Sequence, residues 1–68
     1  MTIRFFRQSV GEDMVEELTR AEVKDRLTDW VVSTEVAVAM LEDNPGETYR
    51  LTAFAFYWSE DSTKEMEA

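Results

Sequence analysis

Paired carboxylates recur along this chain. Glu12-Asp13, Glu16-Glu17, Glu42-Asp43 and Glu60-Asp61 are the residues whose type could perform acid–base chemistry. A glycosidase-like pair needs two carboxyls converging on one cleft, one of them with a raised pKa. Neighbours along a strand point to opposite faces, so none of these pairs converges by itself. Ser9, Ser33, Ser59 and Ser62 supply hydroxyls, but the chain has no histidine and no cysteine to activate or replace them. An imidazole base, a thiolate nucleophile and the usual nitrogen and sulfur ligands of zinc are therefore missing. Residues 42–47, EDNPGE, set oxygens around a glycine but lack the spacing of a calcium-binding loop. A tight Pro-Gly turn calls for the same residues. Gly11 and Gly46 form no phosphate loop. The expectation is a protein that is not an enzyme and takes no metal and no cofactor.

What remains is chemistry by charge and by apolar surface. Fifteen acids against seven bases give a net charge of −8 on 68 residues. That field repels nucleic acid backbones and anionic membranes, both of which need clustered Lys and Arg. It attracts a basic surface on another protein, and it also keeps a small protein soluble. The candidate acidic contacts are Glu12, Asp13, Glu16, Glu17, Asp25, Asp29, Glu42, Asp43 and Glu47. The start, MTIRFFRQ, has no apolar run of signal-peptide length, and no stretch approaches the length of a membrane span. A soluble cytoplasmic product is expected, and the absence of cysteine fits that compartment.

The elements that must position these residues read as follows. Residues 2–10 form a first strand, Gly11-Glu12-Asp13 a turn, and residues 14–18 a short edge strand whose Glu16 and Glu17 discourage further pairing. The helix could instead start at about Glu12 and absorb that strand. Thr19-Arg20-Ala21-Glu22 fits a capping box, with Leu18 and Val23 as its hydrophobic staple. Val23, Leu27, Trp30 and Val31 follow as one helical stripe, and the helix should end between Trp30 and Ser33. Residues 34–42, TEVAVAMLE, alternate and read as a strand. Asn44-Pro45-Gly46-Glu47 is the strongest turn signal, with Pro45 fixing φ and Gly46 free to take a positive one. Residues 50–58, RLTAFAFYW, return as a long aromatic strand.

The expected architecture is α+β in two layers: one helix on a mainly antiparallel sheet of three or four strands, ββαββ or βαββ. Residues 1–58 make the single domain and residues 59–68 an acidic C-terminal tail. A chain of this length has a marginal core, so a partner subunit or another protein is a natural source of stability. One helix covers one sheet face. It is expected over Val36, Val38, Met40 and Leu51, where Ala53 and Ala55 leave room. Phe54, Phe56 and Trp58 are then the apolar interface candidates on the other face, beside Ala37, Leu41 and Phe6.

Two functions follow as expectations. In the first, a small acidic protein-binding or inhibitor protein occupies a basic site, presenting carboxylates where the phosphates of a nucleic acid would lie. In length, charge and lack of catalytic residues the chain resembles in kind the small acidic inhibitors that phages carry against host nucleases, including anti-CRISPR and anti-restriction proteins. The likeness covers no motif. In the second, the apolar sheet face makes a homodimer or docks on a larger assembly.

Overall fold

The computed structural model describes residues 3–61. Two strands, two helices and a last strand follow in order: β1 (Ile3–Ser9), β2 (Val15–Leu18), α1 (Arg20–Leu27), α2 (Thr34–Asp43) and β3 (Ala55–Asp61). The sheet is antiparallel throughout, in the order β2-β1-β3. Both helices lie on one side of it. This is the two-layer α+β class the sequence predicts, with helix packed on antiparallel sheet. Seven residues of the expected tail, 62–68, lie outside the described residues, while Ser59–Asp61 complete β3.

The early hairpin forms. Gly11 takes φ +84° in its turn, a conformation that disfavours side chains. At α1, Thr19 Oγ1 accepts from the Glu22 amide at 3.2 Å and the Thr19 amide donates to Glu22 Oε1 at 2.9 Å, the reciprocal capping box. The staple residues Leu18 and Val23 both enter the core. The helix ends at Leu27, before the expected boundary, and a further turn follows in which the Trp30 and Val31 amides both donate to the Leu27 carbonyl.

Residues 34–42 are a helix, not the expected strand, so the element order is ββααβ. Two periods coexist in TEVAVAMLE. Val36, Val38 and Met40 alternate, but Ala37, Val38 and Leu41 recur at i, i+1 and i+4 and are the residues buried. Alanine, methionine and leucine favour helix. Ser33 accepts from the Val36 amide at 3.3 Å, so the SerThrGlu run is an N-terminal cap. The expected covering of the sheet therefore changes. Val38, Ala37 and Leu41 reach the sheet from α2, and they are not strand neighbours of Phe54 and Trp58.

The last strand is also shorter than RLTAFAFYW suggests. The turn at residues 44–47 has the expected form, with Gly46 at φ +90° and the Glu47 amide donating to the Asn44 carbonyl at 3.1 Å. Tyr49 then pairs with Tyr57 through two backbone hydrogen bonds of 2.8 and 2.7 Å. Residues 50–54 loop out, held by the buried Thr52, whose Oγ1 accepts from the Phe54 and Ala55 amides.

The core gathers Phe5, Leu18, Val23, Leu27, Val38, Leu41, Ala55 and Tyr57 between sheet and helices. The helix-covered sheet face carries Phe5 and Arg7 of β1, Leu18 of β2 and Ala55, Tyr57 and Ser59 of β3, by register and alternation. Ser59 is fully buried and donates its hydroxyl to the Leu41 carbonyl. The usual donor to that carbonyl would be the amide four residues on, but that residue is Pro45, which has none.

Candidate functional site

The sheet face opposite the helices carries Arg4, Phe6 and Gln8 of β1, Val15 and Glu17 of β2, and Phe56, Trp58 and Glu60 of β3. No layer covers it among the described residues, yet Phe6, Phe56 and Trp58 are each half-buried. Their neighbours explain this. Phe6 stacks on Trp58 with centroids 5.8 Å apart, and the Arg4 guanidinium lies 5.6 Å from the Phe6 centroid. Arg4 in turn grips Glu17 with two hydrogen bonds of 3.1 and 2.5 Å, and Trp58 Nε1 donates to Glu60 Oε2 at 3.0 Å. Long polar side chains thus lie across the aromatic strip. Phe56 and Trp58 occupy this face, while Phe54 precedes the strand and meets Trp30 edge-on at 5.5 Å. The structure therefore splits the three apolar interface candidates into two places.

The acidic candidates divide by partner. Glu16 pairs with Arg7 and Arg26, Glu17 with Arg4, and Glu42 with Arg20. Lys24 is held by Glu35, which was not among the candidates. The bonds leave their mark on protonation. The hydrogen bond from Arg4 holds the Glu17 carboxyl below its ordinary value, and that from Lys24 does the same for Glu35. Glu22 is lowered chiefly by the Thr19 backbone amide that it caps. By contrast, the side chains of Glu12, Asp13, Asp25, Asp29, Asp43 and Glu47 are exposed and have no ion pair or hydrogen bond among the described residues.

Apart from Asp25, within α1, these free carboxylates fall at the two ends of the molecule. The Val10 amide donates to the Phe54 carbonyl and Trp30 touches Phe54, so the β1–β2 turn, the α1–α2 link and the start of β3 share one end. Glu12, Asp13 and Asp29 lie there. At the other end, Ile3 pairs with Asp61, Arg20 reaches Glu42, and the Gly46 amide donates to the Ser59 carbonyl at 2.8 Å. Asp43 and Glu47 lie there. Glu42 and Asp43 occupy the last turn of α2, which has no basic residue, although the helix already ends in a partial negative charge.

The sequence reading missed the outer face of α2. Val32 and Val36 are 108% and 68% exposed, and Met40 is half-buried beside them. With Val31 and Leu51 they line an apolar groove of ≈ 390 Å³. The signal lay in the spacing 32, 36, 40, a helical period hidden under the alternation.

Two other recesses combine charged and apolar side chains. A wide hollow of ≈ 800 Å³ beside Phe5 and Leu18 is rimmed by Arg4, Glu17, Arg20 and Glu42, which pair with one another. A smaller one of ≈ 270 Å³ contains Arg7, whose Nη1 donates to Ser9 Oγ at 3.2 Å and whose buried Nε has no hydrogen-bond partner. Among the described residues, no group of three or more His, Cys, Asp or Glu is placed to hold a metal ion, and no helix is long and apolar enough to cross a membrane. No family model, curated protein or solved structure matches the chain.

Proposed function

We propose that this chain is a small acidic, non-catalytic protein-binding protein that occupies a basic site on a partner, of the kind that otherwise holds nucleic acid. The observation that carries the reading is the C-terminal end of α2. Asp43 stands there against the helix dipole, and Glu47 follows the turn, neither with a cation among the described residues. An external Lys or Arg converts that local cost into attraction. Among the described residues, Arg4, Arg7, Arg20, Lys24 and Arg26 are already engaged by Glu16, Glu17, Glu35 and Glu42.

Capture from lysate on immobilised chain tests it. The partner should bind at low ionic strength and elute near ~0.5 M salt, where the Debye length falls to a few ångströms. The double variant Asp43→Lys, Glu47→Lys should lose it. Retention through that wash, or capture undiminished by the double variant, removes the reading. Displacement of a bound oligonucleotide from the captured protein by the chain distinguishes a nucleic-acid site from another basic surface.

The aromatic strip of Phe6, Phe56 and Trp58 on the uncovered sheet face favours a second reading, homodimerisation. Light scattering decides it: a monomer at high concentration excludes that use of the strip.

A further inference from the structure

We propose that the outward face of α2 is a docking strip for an amphipathic helix of the basic partner, one with two aliphatic anchors and a Lys or Arg about one turn beyond them. The inference rests on the preceding reading of Asp43 and Glu47 and names what meets them.

An α-helix that is apolar all round is normally enclosed. The central run of α2, Val36 to Leu41, is apolar without a break, and the core takes only Ala37, Val38 and Leu41. Val36, Ala39 and Met40 are left on the outside, and at 100° per residue Asp43 falls on the same face as Val36 and Met40. The strip is therefore apolar for two turns and ends on a carboxylate. Val32 extends it at the front, and Leu51 forms the far wall of the groove. From Val36 to Asp43 it runs about 10 Å, the rise of seven residues. That length fits two turns of a partner helix laid into a groove, with anchors at i and i+4 and a cation at i+7 or i+8.

The charges select this occupant over a second copy. Another copy adds a further −8, and its own bases among the described residues are engaged in ion pairs or, for Arg50, on the Ala53 carbonyl. Among the described residues it offers no ready cation for Asp43. A basic amphipathic helix supplies both the anchors and the charge.

Two synthetic helical peptides of 16 residues probe the full chain, isotope-labelled and observed by NMR. One carries Leu at i and i+4 with Lys at i+7 and i+8; in the other Glu replaces Lys. The Leu/Lys peptide should shift amides of residues 32–43 and 51, and the Leu/Glu peptide should bind at least about tenfold more weakly. Val36→Ser and, separately, Val32→Ser should each weaken the Leu/Lys peptide by about three- to tenfold. Both side chains are exposed, so an unchanged melting temperature verifies the fold of the variants. Four results overturn the proposal: no shifts at about 1 mM peptide, shifts centred on Phe6 and Trp58 instead, equal binding of the two peptides, or a wild-type dimer that Val36→Ser dissolves. The two readings also fail separately. If Asp43→Lys, Glu47→Lys abolishes capture of the natural partner while Val36→Ser leaves it intact, the acidic site stands and the strip falls. If neither variant affects capture, both fall.

Discussion

Ser59 does work at the residue scale that its type does not advertise. Its hydroxyl closes the hydrogen-bond deficit that Pro45 creates at Leu41, and it does so from a different element, tying β3 to the end of α2. Ser59→Ala leaves a buried carbonyl without a donor and should destabilise the fold by about 1–3 kcal/mol, measurable by urea unfolding. Protonation acts at the same scale. Glu17, Glu22 and Glu35 all titrate below the ordinary value of 4.5 in the folded chain. The unfolded chain therefore takes up their protons first as pH falls. Their contribution is complete above pH 4.5, and it is lost as pH drops through that value toward the lowered folded pKa values. Melting temperatures recorded from pH 7 to 3 should fall on the acid side, and Glu22→Gln, which cannot change charge, should make that fall shallower.

At the scale of elements, α2 tests how a sequence with two periods is resolved. Ala39 is exposed in its middle. Ala39→Gly should cost about 1 kcal/mol, the intrinsic helix difference, and Ala39→Thr should also destabilise, where a strand would gain. Chemical denaturation of both variants checks this. The same segment marks where the sequence stops being legible. The β1–β2 hairpin, the Thr19 capping box and the Pro45-Gly46 turn rest on local chemistry, and each appears where its residues stand. Residues 34–42 satisfy a strand and a helix equally as a pattern; the choice is made by Ser33 capping and by the fit of Val38 and Leu41 against Phe5 and Tyr57, which no local pattern reveals. The shortened last strand has a similar cause. Ser9 and Ala55 form the last β1–β3 pair and the Val10 amide still reaches the Phe54 carbonyl, but β1 ends there, so Arg50 to Ala53 have no strand to pair with, however favourable their side chains. For the candidate site, the acids could be named from the sequence, but which of them keep their charge uncompensated depended on where the arginines folded.

At the scale of the whole molecule, eight net negative charges are spread over a body with a radius of gyration of 11.8 Å. Two electrostatic effects compete. Screening weakens the exposed ion pairs, which contribute little, and it also relieves self-repulsion. Most of the unpaired carboxylates crowd the two ends, so relief should win. Raising NaCl from about 0.05 to about 0.5 M should raise the urea midpoint, and Asp43→Asn with Glu47→Gln should reduce that response. The edges of the sheet are treated unequally. Tyr57 directs its peptide groups outward to Tyr49, and Ser59 its carbonyl to Gly46, so β3 has a loop along its outer side. The alternation then turns the peptide groups of Val15 and Glu17 outward from β2, an edge protected by its brevity and its acids.

The double pattern of α2 has a consequence for the nascent chain. Before the helix forms, Val36 to Leu41 is an uncharged run with the spacing of a zipper-forming strand, and nothing yet distinguishes it from the same run on a neighbouring molecule. Glu35 stands directly before it and Glu42 and Asp43 directly after, like buoys at both ends of a shoal. Glu42 and Asp43, which burden the C-terminal end of the finished helix, thus join Glu35 in guarding the chain before the helix forms.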